Sequence, residues 1–198
     1  MDRPLMSVGN HKLGKDILVF NLNRGVTCPG RSPWCRKNCY EHKSYRYPAV
    51  RPARDRNLAA TMADDFVDKI VAEIQKPRKK PIRGVRIHGS GDFYSLEYLR
   101  KWFEIARRCP GIQFKANTRS WMLPYWGKPD NLKLRYSVDS STSRGTIILM
   151  KEFVDGFAYI EGSQPSEDIP HCSYECGFGD DDCSFCYQQN GDIVYHVH

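Results

Sequence analysis

No stretch of the 198-residue chain approaches the ~20 consecutive apolar residues that a membrane-spanning helix requires. No apolar signal segment stands behind the opening Met1-Asp2-Arg3-Pro4. A soluble, cytoplasmic protein with no membrane partner is therefore expected. Internal repeats and low-complexity tracts are missing, which excludes solenoids, propellers and long linkers. There is no P-loop, no Ser/His/Asp nucleophile signature and no carboxylate pair set up for acid–base work. No residue is thus nominated as catalytic acid, base or nucleophile. Cations almost vanish after residue 150, where Lys151 alone stands against ten acidic residues. The net charge of +7 accordingly divides into +16 over the first 150 residues and −9 beyond them.

What is present begins with that basic field. Its dense runs are Lys43 to Arg56 and Lys76 to Arg86, the first interleaved with Tyr45 and Tyr47. Such runs attract polyanions, nucleic acid above all, although a charge run is also the ordinary form of a solvated face.

Eight cysteines are the second presence, and they bunch near the two ends. Cys28, Cys35 and Cys39 form a C-x6-C-x3-C set, and Cys172, Cys176, Cys183 and Cys186 form a C-x3-C-x6-C-x2-C set. Cys109 stands alone at a predicted helix end, as a small buried apolar side chain would. A disulfide framework is the alternative. A domain of this length buries a full core without staples, and the uneven placement favours metal. Three thiolates can hold three irons of a cubane and leave the fourth open, whereas four close a metal's shell. The first set could instead bind zinc completed by His42 or another residue. The second suits a structural zinc or an auxiliary [4Fe-4S] cluster equally, with Asp180, Asp181 and Asp182 weighing mildly against a negatively charged cluster.

Length predicts one domain. Short β-rich runs recur at residues 17–22, 84–88, 112–117, 132–138, 156–160 and 193–197. Between the first two, Leu58, Met62, Phe66, Ile70 and Ile74 fall four apart and predict one long helix over about 54–75, ended by Pro77. Ser95 reads as the N-cap of a helix through Arg108 with Leu96, Leu99, Trp102, Phe103 and Ile105 on its apolar face. Shorter helices are expected over 121–126 and 143–153. Strand and helix in alternation argue for parallel α/β units, as a partial barrel or an open sheet, with function at the carboxyl ends of the strands. Cys28 follows the first strand. Gly89-Ser90-Gly91-Asp92 follows the second, Thr118-Arg119 the third, Asp139-Ser140-Ser141 the fourth and Glu161 the fifth. His88 is either a core histidine or a group facing a ligand. Arg119 could grip a carboxylate or phosphate or pair with an acid, and Trp121, Tyr125 and Trp126 read as core or pocket wall.

This arrangement resembles the radical S-adenosylmethionine (SAM) superfamily. More narrowly, Cys28-Pro29-Gly30 to Cys39-Tyr40, Arg86 to Ser95 and Asn117 to Trp121 resemble the phage gene product 88 family and its radical-SAM-like phage relatives, over roughly residues 15–190. The resemblance implies a partial (β/α)6-type radical SAM barrel over 1–165, with a C-terminal four-Cys metal-binding segment over 166–198 packed on it. It implies a [4Fe-4S] cluster on Cys28, Cys35 and Cys39, whose open iron chelates SAM. Gly89, Ser90, Gly91 and Asp92 then take the SAM amino group, and Thr118, Arg119, Ser137 and Asp139 hold its ribose and carboxylate. The spacing departs from the commonest C-x3-C-x2-C, and the aromatic Tyr40 follows the third cysteine rather than preceding it. The implied function is reductive cleavage of SAM to methionine and a 5′-deoxyadenosyl radical, using an external electron donor of flavodoxin or ferredoxin type. That radical abstracts hydrogen from a nucleic acid base or nucleotide, as in phage DNA modification, or from a peptide. The alternative function is a non-catalytic, zinc-stabilised nucleic-acid-binding protein.

Overall fold

The computed structural model describes residues 3–10, 12–180 and 182–197. Met1 and Asp2 of the opening segment and Asp181 of the acidic run lie outside them. Seven strands form one sheet: β1 (Met6–Val8), β2 (Ile17–Phe20), β3 (Gly84–Ile87), β4 (Gln113–Thr118), β5 (Leu132–Val138), β6 (Gly156–Ile160) and β7 (Ile193–Tyr195). Their spatial order is their chain order. β1 runs antiparallel to β2, and every later neighbour pairs in parallel. All the carboxyl ends from β2 to β7 therefore meet on one side.

Alternation along the strands gives the sheet two different faces. Leu18, Phe20, Val85, Ile87, Phe114, Ala116, Leu132, Leu134, Tyr136 and Val138 enter the main core. Onto it pack α3 (Phe66–Gln75) and α4 (Leu96–Arg108), preceded in the chain by α1 (Pro33–Lys37) and α2 (Val50–Thr61). Trp102 and Phe103 of α4 are fully buried, and truncating either to alanine should cost about 3–5 kcal/mol. Ser95 caps α4 by accepting from the Tyr98 N–H, as its sequence predicts. The opposite face carries Ile17, Val19, Ala158 and Ile193, onto which Cys172, Cys176, Phe178, Cys186 and Tyr187 pack as a second, smaller core. Arg135 of β5 fastens that segment. Fully buried, it donates to the carbonyls of Cys186, Gln189 and Gly191 at 2.9–3.0 Å.

Four helical expectations are corrected. The predicted 54–75 helix is two helices, interrupted between Met62 and Asp65. Lys101 of α4 donates to the carbonyls of Thr61 and Ala63, meeting the open end of α2, and Met62 is exposed although it belongs to the four-residue stripe. Residues 121–126 are turns, with Trp121 and Trp126 exposed and only Tyr125 buried. Leu96 is exposed at the start of α4. The 143–153 expectation shortens to α5 (Arg144–Met150), capped by Ser143, and a final turn α6 (Phe185–Gln188) follows. Cys109 is buried, as expected.

Candidate functional site

A cavity of about 520 Å³ opens over the second face of the sheet, at and below the carboxyl ends of its strands. That volume lies in the range of small-molecule and cofactor sites. Its wall unites Cys28, Cys35 and Cys39 with Gly89, Ser90, Gly91 and Asp92, and with Thr118, Arg119 and Ser137. Cys172 and Cys176 line the same cavity from the C-terminal segment, whereas Cys183 and Cys186 are not in its wall. No three cysteine sulfurs lie mutually within 4.8 Å among the described residues.

The cysteine loop is held from several sides. Ser32, the N-cap of α1, accepts from the Cys35 N–H at 3.0 Å and donates to Asp139 Oδ2 at 2.5 Å. Asp139 in turn pairs with Arg119 at 2.7 Å and accepts from the Ser141 hydroxyl and N–H. It therefore sits behind Arg119, outside the cavity wall, and connects the strand ends to the loop. Burial works to raise the Asp139 pKa, but the Ser32 bond, the Arg119 charge and the Ser141 bonds outweigh it and hold the carboxyl below its ordinary value. Gly30 runs so close to Arg119 that a Cβ there would collide with the Arg119 carbonyl. Tyr40, next to Cys39, donates its hydroxyl to the Gly89 carbonyl and ties the loop to the glycine turn.

The glycine turn opens with strain. His88 has φ 65°, a left-handed conformation that non-glycine residues seldom adopt. Its ring is buried against Phe93, with Nε2 2.9 Å from the Tyr98 hydroxyl, so the side chain belongs to the core. Burial lowers its pKa to about 3 and keeps the ring neutral. Gly91 has φ 85°, and a Cβ there would meet Leu22 Cβ and Thr27 Oγ1 at 2.6 Å. Asp92 is buried and accepts from Thr118 Oγ1, the Phe93 N–H and the Arg119 N–H at 2.7–2.8 Å, bracing the end of β4 against the turn. Burial raises its pKa to about 6 despite these three bonds. Ser90 Oγ and Asn117 Oδ1 are buried without a hydrogen-bond partner among the described residues, and both residues line the cavity.

Cys28 and Cys35 do not ionise readily by themselves. Burial, then the charge of Asp92, drives Cys28 up to about 12, and burial also raises Cys35. A bound metal would have to displace these protons, so binding there is pH-dependent.

Sequence reasoning missed the cavity floor. Arg86, Lys115 and Asn117 line it from alternate positions of β3 and β4, together with Tyr195 of β7. The signal was present as polar residues alternating with Val85, Ile87, Phe114 and Ala116. Also unforeseen is the buried Arg54–Glu41 pair on the cavity wall, 2.5 Å apart. Glu161 is not in the wall. It pairs with His196 at 3.1 Å, and with His171 it makes an exposed trio at the rim. The run Lys76, Arg78, Lys79 and Lys80 precedes β3 and so lies at the opposite end of the strands from the cysteine loop. Arg36, Lys37, Lys43 and Arg46, by contrast, are exposed on the segment that carries the three cysteines.

Among the described residues no helix is long and apolar enough to cross a membrane. No solved structure matches the chain. The Gene 88 protein of Mycobacterium phage L5 is 32% identical over 149 residues, and that of Mycobacterium phage D29 is 30% identical over the same length. Each alignment takes in 66% of this chain and 60% of the relative, so the chain spans about three-fifths of those proteins. The family model for Gene product 88 matches residues 4–189, nearly the whole chain, and the chain therefore belongs to the gene product 88 family.

Proposed function

We propose that the chain is a radical SAM enzyme, its sequentially ordered parallel sheet a partial (β/α)6-type barrel with a C-terminal four-Cys metal segment. The observation that carries this reading is convergence. Three cysteines from the loop after β2, the glycine turn after β3 and polar residues after β4 and in β5 line one cavity at the carboxyl ends of parallel strands.

The residues fit a [4Fe-4S] cluster and SAM on three counts. Cys28, Cys35 and Cys39 line one cavity together, and three thiolates are the number that leaves one iron of a cubane open. Ser90 Oγ and Asn117 Oδ1 are polar atoms beside the turn that a ligand would satisfy. Gly30 and Gly91 let the loops close on Arg119 and Leu22 as no larger residue would. When bound, the cluster and SAM supply one-electron reductive cleavage and hydrogen abstraction. The chain contributes the rest. Cys28, Cys35 and Cys39 ligate three irons, and Ser90, Asn117, Thr118, Ser137 and the backbone at 89–91 orient the cofactor. Asp92 braces the wall and presents its remaining lone pair to an ammonium group. Electrons come from an external donor, and the exposed cations Arg36, Lys37, Lys43 and Arg46 favour a nucleic acid base or nucleotide as substrate over a peptide.

Metal analysis and visible absorption of anaerobically purified chain test this reading. About four irons with brown colour, or about eight if the second set also holds a cluster, agree with the enzyme. Colourless protein holding only zinc would instead mark a zinc-stabilised nucleic-acid-binding protein.

A further inference from the structure

Arg86 and Lys115 are direct register partners on the adjacent parallel strands β3 and β4, with side chains on the cavity face. Like charges side by side across a sheet repel, and the arrangement is costly unless an anion stands between them. The same row continues to Lys133, which has Asp155 at 4.0 Å and Asn190 at 2.9 Å. Arg86 and Lys115 have no carboxylate among the described residues. Lys115 is 3% exposed, and among the described residues its ammonium meets Tyr195 Oη at 3.1 Å, the faces of Tyr187 and Tyr195 and the neighbouring Cys186 thiol, with its charge also acting on Cys172 and Cys176. The Arg86 side chain makes no hydrogen bond or ion pair among the described residues; it lines the cavity, and the groups that act on its charge are Tyr40, Tyr187, Tyr195 and Cys176, none of them a carboxylate. The acids that line the cavity among the described residues are already engaged. Glu41 pairs with Arg54, and Asp92 accepts from Thr118, Phe93 and Arg119.

We propose that Arg86 and Lys115 form a seat for an oxyanion, the phosphate or carboxylate group of the substrate, on the cavity floor between the two cysteine sets. The planar fork of Arg86 takes two oxygens of the anion, and the Lys115 ammonium neutralises it from the adjoining strand. Because the seat shares one cavity with Cys28, Cys35 and Cys39, it deepens the radical SAM reading and rests on it for the word substrate. Anion binding itself does not depend on that reading.

The test uses the full chain, reconstituted anaerobically without SAM. Its thermal midpoint is followed against sodium phosphate and against sodium acetate, with sodium chloride at matched ionic strength. Expected is a saturable rise with phosphate, acetate or both, beyond that with chloride. A response to phosphate alone marks a phosphate ester, and one to acetate alone a carboxylate. Arg86→Gln should weaken the response about ten-fold or more, Arg86→Lys less, and Lys115→Met comparably to Arg86→Gln if it folds. Metal content read on the same samples should be unchanged in the Arg86 variants. The proposal is overturned if the midpoint follows ionic strength alone, or if Arg86→Gln responds like the parent. It is overturned equally if the Arg86 variants shed the second metal while keeping the anion response, which would assign both cations to the four-cysteine set. Saturating SAM that abolishes the response would assign the seat to the carboxylate of SAM and also refute it. Loss of iron with the anion response intact would sink only the enzyme reading.

Discussion

Replacing Asp139 by asparagine keeps the side-chain shape and removes one charge, and the structure says where the loss falls. The carboxylate is fully buried, Arg119 beside it is 11% exposed, and their atoms are 2.7 Å apart. Breaking a buried pair by removing one partner costs about 3–5 kcal/mol, because the remaining charge stays buried. The same carboxylate accepts from Ser32, the cap of the helix that carries Cys35, so the cysteine loop should loosen with it. The folded pKa of Asp139 is lowered, so its contribution is present above the unfolded value and disappears as pH falls through the folded one. Urea unfolding at neutral pH should show Asp139→Asn less stable by that amount, with iron retention after desalting reduced in parallel. Parent and variant should converge at strongly acidic pH. A variant within about 0.5 kcal/mol of the parent that keeps its iron would refute the clamp.

Other outcomes follow from the same geometry. Gly91→Ala should destabilise by about 1–3 kcal/mol, from its left-handed backbone and the collision with Leu22, and a variant as stable as the parent in urea would contradict this. Between about pH 4 and 6, buried His88 (folded pKa about 3) makes stability fall on acidification, while Asp92 (folded pKa about 6) makes it rise. Relative to the parent, Asp92→Asn should therefore lose about 1.4 kcal/mol per pH unit of acidification over that window, and His88→Gln should gain about as much; parallel stability–pH curves would count against both. If nucleic acid binds, neutralising Arg36, Lys37, Lys43 and Arg46 should flatten the dependence of log K on log salt by roughly 0.7–0.9 for each phosphate that is no longer neutralised. Neutralising Lys76, Arg78, Lys79 and Lys80 should leave the slope unchanged, and the reverse result would place the nucleic acid at the other end of the sheet.

Much of the fold was legible because the strands and α4 obey strong local rules. Leu132–Val138 and Gly156–Ile160 match their expected bounds, and Ser95 caps where a serine before an amphipathic run should. β1 escaped because only three residues pair and two of them are exposed. The split between α2 and α3 escaped because a four-residue apolar period says nothing of Lys101, which satisfies the carbonyls at the break from another helix. At the site, the cysteines and the glycine turn announced themselves by residue type and spacing. The role of Asp139 did not, since at a strand end a carboxylate that clamps an arginine reads the same as one that binds a cofactor. Arg86 and Lys115 were hidden inside strands, where a charged residue gains meaning only once the register sets it beside another.

The central claim is that Cys28, Cys35 and Cys39 hold an open iron–sulfur cluster that cleaves SAM. The most direct measurement replaces all three by alanine and follows iron content together with 5′-deoxyadenosine formation under a strong reductant. The account predicts that the iron held by this set and the 5′-deoxyadenosine both disappear, while the metal on Cys172, Cys176, Cys183 and Cys186 stays. Full iron content and undiminished 5′-deoxyadenosine in the triple variant would contradict it.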